Sequence, residues 1–93
     1  MADIPIRIRT WVKGTADDER QGLLGFISVT YGPWVFDGLT LRRTADGRLA
    51  VSFPARSDRS GRKHALIRPI DNEAREAVER ELLRQLEREG VQP

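Results

Sequence analysis

The 93-residue chain contains no cysteine and a single histidine, His64. Without cysteine, disulfides and thiolate metal sites are excluded. A zinc site would need His64 together with carboxylates, and the sequence shows no suitable spacing for one. The glycines fall at turn positions, so no glycine-rich phosphate loop joins a strand to a helix. We therefore expect no metal, no cofactor, no catalytic residue, no small-molecule substrate and no enzyme activity.

Long hydrophobic runs are also missing, since no apolar stretch approaches the roughly 20 residues of a membrane-spanning helix. The first residues include Asp3 and lack the apolar core of a signal peptide. We expect a cytoplasmic protein with no membrane partner. The length suits one domain over residues 1–93, with an ordered core over about 4–89. A domain this small is marginally stable, and pairing with a second copy would help.

Positive charge is concentrated in the middle of the chain. Between positions 42 and 69, eight basic and two acidic residues give a net charge of +6. Four basic and five acidic residues give −1 over positions 1–41, and four basic and seven acidic residues give −3 over positions 70–93. A basic block inside a nearly neutral protein indicates a polyanionic partner.

Alternating hydrophobicity predicts that most of the chain is β-structure. Ile4, Ile6 and Ile8 alternate with polar residues, which is typical of a half-buried strand, here continuing to Lys13. Further strands are predicted over 23–31, 34–42, 48–53 and 64–67, with a polar loop over 14–22 and an irregular basic loop over 54–62. On the 34–42 strand, Trp34 and Phe36 share a face and are assigned to the core or to a dimer contact.

A C-terminal helix is predicted from the N-cap residue Asp71 to Glu89, because apolar residues then follow helical spacing as one stripe. The fold class is therefore α+β, a single antiparallel β-sheet of four to five strands with one C-terminal α-helix packed on it.

The basic loop is the principal candidate site. It and the residue after it carry four cations among small polar residues: Arg56, Arg59, Arg62 and Lys63. Guanidinium groups bind phosphate bidentately, and small hydroxyl residues leave room for its approach. These features indicate a nucleic-acid backbone contact. A solvated hairpin kept soluble by its arginines is the alternative interpretation.

Other cations extend this candidate site. Arg68 belongs to the same basic block, and Arg75 in the first helical turn can meet a phosphate or pair with Asp71 or Glu79. On the first strand, the face opposite the isoleucines is predicted to present Arg7, Arg9 and Trp11. Cations beside an aromatic ring suit backbone contact and base stacking. A half-buried Trp11 at the sheet edge, with its charged neighbours keeping that edge from pairing, is equally compatible with the pattern.

A series of short motifs between about Gly25 and Leu86 resembles the SpoVG family (stage V sporulation protein G), the septation regulators of bacteria. In order, they are Trp34-Val35-Phe36, Leu39-Thr40-Leu41, Gly47, Leu49-Ala50-Val51-Ser52-Phe53, Phe53-Pro54-Ala55-Arg56, and Pro69-Ile70 followed by Arg75. The opening strand also fits the family. The departures are Ala55 in place of the usual serine, a longer turn over 44–48, and a more acidic helix.

The resemblance implies a small α+β protein that forms homodimers, binds DNA and in some members RNA, and regulates gene expression. Arg56 and Arg75 occupy the family's basic positions after the Pro-Ser and at the helix start. We expect a homodimeric DNA- or RNA-binding regulator. The alternative is a protein–protein adaptor in cell division or septation that does not bind nucleic acid directly. The sequence does not assign sporulation or septation as the process.

Overall fold

A computed structural model describes residues 4–91 of the protein. The expected domain over 1–93 thus includes positions 1–3 and 92–93, which lie outside the described residues. The elements, in chain order, are β1 Ile6–Lys13, α1 Ala16–Arg20, β2 Leu23–Tyr31, β3 Trp34–Arg43, β4 Leu49–Ser52, β5 Ala55–Ser57, β6 Lys63–Ala65 and α2 Asn72–Arg88. No helix within residues 4–91 is long and apolar enough to cross a bilayer.

The main sheet has four antiparallel strands in the order β1-β2-β3-β4, and α2 packs on one face of it. Alternate strand residues point to the helix and join its apolar stripe in one core. The most deeply buried side chains of this core are Ile27, Val29, Leu41, Val51, Leu82 and Leu86. The predicted α+β class is confirmed. The predicted fifth strand forms instead as β6, which pairs with β5 in a separate two-stranded sheet.

Strand β1 contains a bulge that the alternating sequence does not reveal. Ile8 pairs with Val29 and Thr10 pairs with Ser28, so Arg9 is an extra residue in the register. A bulge of this kind shifts the later side chains of the strand to the opposite face. Trp11 consequently turns inward and packs against the core, whereas Val12 is 58 % exposed. The prediction that Trp11 shares a face with Arg7 and Arg9 is therefore wrong.

A glycine on the neighbouring strand makes room for the inward Trp11 ring. Gly25 lies beneath the Trp11 indole, and a Cβ at that position would overlap the ring.

The segment over 14–22, predicted as a loop, contains the short helix α1. Thr15 and Asp18 form a reciprocal capping box that satisfies backbone N–H groups at the start of this helix.

Helix α2 hydrogen-bonds to the outer edge of β1 through Gln85. The Gln85 Oε1 accepts a hydrogen bond from the Ile8 backbone N–H at 2.8 Å, and its Nε2 donates to the Ile6 carbonyl at 2.8 Å. The same Nε2 donates to Glu81 Oε2 at 2.7 Å. The buried amide thus takes the place that a further strand would occupy beside β1.

Residues nearer the start of α2 hydrogen-bond in the same way to β4, the strand at the opposite edge of the sheet. The Val51 backbone N–H in β4 donates to Glu79 Oε2 at 2.8 Å. Its carbonyl accepts from Arg75 Nη1 at 3.3 Å, and the Arg75 guanidinium lies 5.4 Å from the centre of the Phe53 ring. One helix therefore bonds to both edge strands, which fixes its direction across the sheet.

The Gln85 amide gives a testable measure of this arrangement. We expect Gln85→Leu to lower the free energy of unfolding by about 2–4 kcal/mol, because the Ile6 carbonyl and the Ile8 N–H lose their partner. Chemical denaturation followed by circular dichroism measures the change. Glu87→Gln, on the exposed side of the same helix, is the control and should change stability by no more than about 0.5 kcal/mol. Equal effects of the two substitutions would contradict the edge-pairing role.

Candidate nucleic-acid interface

The basic segment forms a β-hairpin, here called the basic hairpin, which comprises β5, β6 and the loop over 58–62. Arg56 lies directly opposite His64, and Ser57 lies opposite Lys63. At the base of the hairpin the Leu66 N–H donates to the Pro54 carbonyl at 3.0 Å. The loop predicted as irregular over 54–62 is thus partly a strand, and the predicted strand over 64–67 runs over 63–65 instead. Alternation in this polar segment is too weak to indicate β5, and it places β6 only approximately.

The carboxylate of Asp58 organises the turn of the basic hairpin. Its Oδ1 accepts hydrogen bonds from the Ser60 N–H at 2.9 Å, the Ser60 hydroxyl at 2.6 Å and the Arg62 N–H at 3.0 Å. Its Oδ2 lies 2.7 Å from His64 Nε2. Gly61, with a φ of 85°, supplies the left-handed residue that closes the turn. The side-chain hydrogen bonds of the turn therefore converge on a single carboxylate.

These contacts stabilise the ionised form of Asp58. The hydrogen bond from His64, followed by that from the Ser60 hydroxyl, lowers the pKa of Asp58 from 3.8 to about 2. The Asp58 carboxylate accepts these hydrogen bonds within the turn and, in the part of the chain that the structure describes, forms no ion pair with the guanidinium groups of the hairpin.

All four predicted cations of the basic hairpin are exposed to solvent: Arg56, Arg59, Arg62 and Lys63. Among the ion pairs within residues 4–91, none involves these four side chains. The cations of other segments are often engaged, as Arg48 is with Asp46 and Arg84 with Glu81. The basic hairpin therefore presents four charges that can meet an anion without breaking an existing pair.

Arg68 and Arg75 lie outside the hairpin and have different surroundings. Arg68 is exposed and lines the rim of an apolar cleft that follows the hairpin. Arg75 is occupied by the Val51 carbonyl and the Phe53 ring, rather than by Asp71 or Glu79, the carboxylates nearest to it in the helical sequence. The structure thus gives Arg75 a role at the edge of the sheet.

Arg7 and Arg9 are exposed on the sheet face that α2 leaves open. Arg7 lies opposite Thr30, and Arg9 is the extra residue of the bulge. Trp11 points away from them and cannot stack on a ligand at this surface. The outer face instead carries Val12 opposite Phe26, both exposed, whereas uninterrupted alternation of β1 would place Val12 on the isoleucine face.

An apolar surface lies at the β2–β3 turn, on the face of the sheet that α2 covers elsewhere. Trp34, 64 % exposed, lies directly opposite Tyr31, whose ring stacks on Phe36 at 6.2 Å between centroids. A cleft of about 420 Å³ continues this surface toward Phe53 and Ile67. Phe36 is half-buried against the core, in line with the first of its two predicted assignments. Trp34 is exposed and lies outside the core, so a dimer contact stays as its prediction. We call this the aromatic surface.

The described part of the chain, residues 4–91, contains no group of three or more histidine, cysteine or carboxylate side chains placed to hold a metal ion. Two polar residues with clear roles were not singled out by sequence reasoning. Asp58 is the only acidic residue of the basic segment 54–63, which was an available signal for a turn-organising role. Gln85 was harder to identify from the sequence, because it is a single amide near the apolar stripe of a helix rich in charged residues.

Comparison with protein-family models, with curated proteins and with solved structures gives no match to this chain.

The depressed pKa of Asp58 makes the conformation of the turn dependent on pH in a defined range. Because the folded-state pKa lies below the ordinary value of 3.8, the carboxylate's stabilisation is complete above about pH 4 and is lost as the pH falls through about 2. We expect the NMR signal of the Asp58 carboxyl carbon and the amide signals of Ser60 and Arg62 to titrate together in this range. The Asp58→Asn variant should abolish the transition. A midpoint near 3.8 in the folded protein would contradict the hydrogen bonding described here.

Proposed function

We propose that this protein is a small regulatory protein that binds DNA or RNA as a homodimer and holds the sugar–phosphate backbone with its basic hairpin. The observation that carries the proposal is the set of four exposed cations, unpaired within residues 4–91, on a hairpin whose one carboxylate is engaged internally. The resemblance of the motifs around Phe53-Pro54-Ala55-Arg56 to the SpoVG family supports it. The proposal includes a cytoplasmic location and no enzyme activity.

The geometry of the basic hairpin suits the backbone of a nucleic acid better than its bases. Arg56 and Lys63 project from the two paired strands toward opposite faces of the ribbon, and Arg59 and Arg62 flank the turn. Cations spread along a narrow ribbon follow a line of phosphates, whereas reading base edges needs side chains held in a groove. Binding of this kind is strongly dependent on salt and only weakly dependent on sequence.

Further exposed cations can lengthen this interface. Arg68 lies shortly after the hairpin, and Arg7 and Arg9 lie on the open sheet face. Arg75 contributes indirectly, since its guanidinium holds the carbonyl of Val51 in the strand that leads into the hairpin. The acidic remainder of α2 disfavours binding along its length, because like charges repel a phosphate backbone.

The homodimer is supported by the aromatic surface. Exposed Trp34 and Tyr31 continue into an apolar cleft, a combination that is typical of surfaces covered by another protein. A 93-residue domain also gains stability from a second copy. The same surface favours the second candidate function, a protein–protein adaptor that docks onto cell-division or transcription machinery without binding nucleic acid.

Removal of hairpin charge tests the binding proposal. For the triple variant Arg56→Ala, Arg59→Ala and Arg62→Ala we expect weaker binding to all sequences. The slope of log K against log salt for duplex DNA should fall by about 0.9 for each phosphate that the variant no longer neutralises. Fluorescence anisotropy across a salt series, with single-stranded and duplex oligonucleotides of DNA and RNA, measures both quantities.

A control of equal charge separates local binding from a change in net charge. The triple variant Arg20→Ala, Arg80→Ala and Arg88→Ala also removes three positive charges, but from exposed positions outside the hairpin. It should retain most of the affinity and of the salt slope. Equal reductions in the two variants would refute a site on the hairpin, and absence of binding by the wild type at low salt would favour the adaptor.

The dimer is tested at the aromatic surface. We expect light scattering at micromolar concentration to give twice the 10.6 kDa mass of one chain for the wild type. Trp34→Lys should shift the protein to the monomer, because a charge would be buried in an apolar interface. Val12→Lys, at an exposed apolar position on the other face of the sheet, should leave the mass unchanged. A monomeric wild type would refute the dimer.

A further inference from the structure

His64 has a position that sequence reasoning did not connect with phosphate binding. It lies directly opposite Arg56 in the basic hairpin, and residues paired in this way place their Cβ atoms about 4.5–5.5 Å apart on one face of the ribbon. The His64 side chain is 59 % exposed. A phosphate oxygen bound by the Arg56 guanidinium therefore lies within reach of the imidazole ring.

The two ring nitrogens of His64 have different surroundings. Nε2 lies 2.7 Å from the Asp58 carboxylate, which is ionised and can only accept, so Nε2 carries a hydrogen and donates. Nδ1 has no hydrogen-bond partner within residues 4–91. In the neutral ring Nδ1 presents a lone pair, which repels a phosphate oxygen. A second proton on the ring converts Nδ1 into a charged donor.

We propose that His64 is a proton-dependent phosphate ligand, which in its doubly protonated form donates from Nε2 to Asp58 and from Nδ1 to a phosphate oxygen shared with Arg56. The inference rests on the proposed nucleic-acid binding and specifies how that site is regulated. Affinity for nucleic acid should therefore be higher at acidic than at alkaline pH.

The charged groups around His64 favour this arrangement when a phosphate is present. Asp58 faces Nε2, while Arg56 lies on the paired strand, and Arg62 and Lys63 precede His64 in the chain. A phosphate bound by Arg56 adds negative charge beside the imidazole ring, so phosphate binding and protonation of His64 are coupled and each strengthens the other.

The test uses the full chain and a dye-labelled DNA duplex of mixed sequence. Anisotropy titrations are run at pH 5.5 and pH 8.0 across a salt series. For the wild type we expect binding about three- to tenfold tighter at pH 5.5. The salt slope should be nearly the same at the two pH values, because His64 shares a phosphate that Arg56 already neutralises.

Two substitutions separate titration from structure. His64→Gln keeps an amide that can donate to Asp58 but does not titrate, and it should bind equally at both pH values with the wild type's pH 8.0 affinity. His64→Arg carries a permanent charge and should bind tightly at both. Amide signals of Ser60 and Arg62 unchanged in the glutamine variant would show that the turn is intact.

The outcomes are distinguishable from failure of the proposed function. Wild-type binding that does not change with pH, or pH dependence retained in full by His64→Gln, overturns the role of His64 and leaves nucleic-acid binding in place. Absence of wild-type binding at both pH values in low salt overturns the proposed function, and the inference with it. Calorimetry in two buffers of different ionisation enthalpy should show proton uptake on binding at pH 6.5 by the wild type and none by His64→Gln.

Discussion

A four-stranded sheet leaves unpaired peptide groups along both outer strands, and such edges readily join other chains. In this protein the side chains of one helix bond to both edges. Gln85 bonds to the peptide groups of Ile6 and Ile8 in β1, while Glu79 and Arg75 bond to those of Val51 in β4. These bonds fix the direction of the helix across the sheet. They thereby determine which part of the apolar sheet face is covered and which part, at the β2–β3 turn, remains exposed.

The sequence predicts the fold because most elements combine strong periodicity with clear end signals. The α+β class, the four-stranded sheet and the helix that begins after Asp71 all follow from such patterns. The errors fall where an interaction outweighs the pattern. The bulge at Arg9 moves the later side chains of β1 to the opposite face of the sheet. The capping box of Thr15 and Asp18 stabilises helix α1 in a segment whose polar sequence predicted a loop. Neither feature changes the local hydrophobic alternation, so periodicity alone cannot detect it.

The candidate site was predictable as a concentration of charge but not as a shape. Composition placed Arg56, Arg59, Arg62 and Lys63 together, and the structure leaves all four exposed. The pairing of Arg56 with His64, and the hydrogen bonds that converge on Asp58, depend on a turn closed by Gly61. Trp11 could not be placed correctly, because its direction depends on a register shift two residues earlier. Arg75 was predicted at the right place on α2, while its partners lie on a different element.

The bond between Ile8 and Gln85 joins residues 77 positions apart. Because β1 precedes α2 by this distance in the chain, the outer edge of β1 has no bond from Gln85 until α2 has been synthesised. Throughout that interval the nascent chain presents a free, isoleucine-rich strand edge, the type of surface that chaperones bind and that other nascent chains can extend. Completion of the fold therefore waits for the last turns of the helix, and the order of synthesis makes this small protein depend on its C-terminal segment for protection of its N-terminal one.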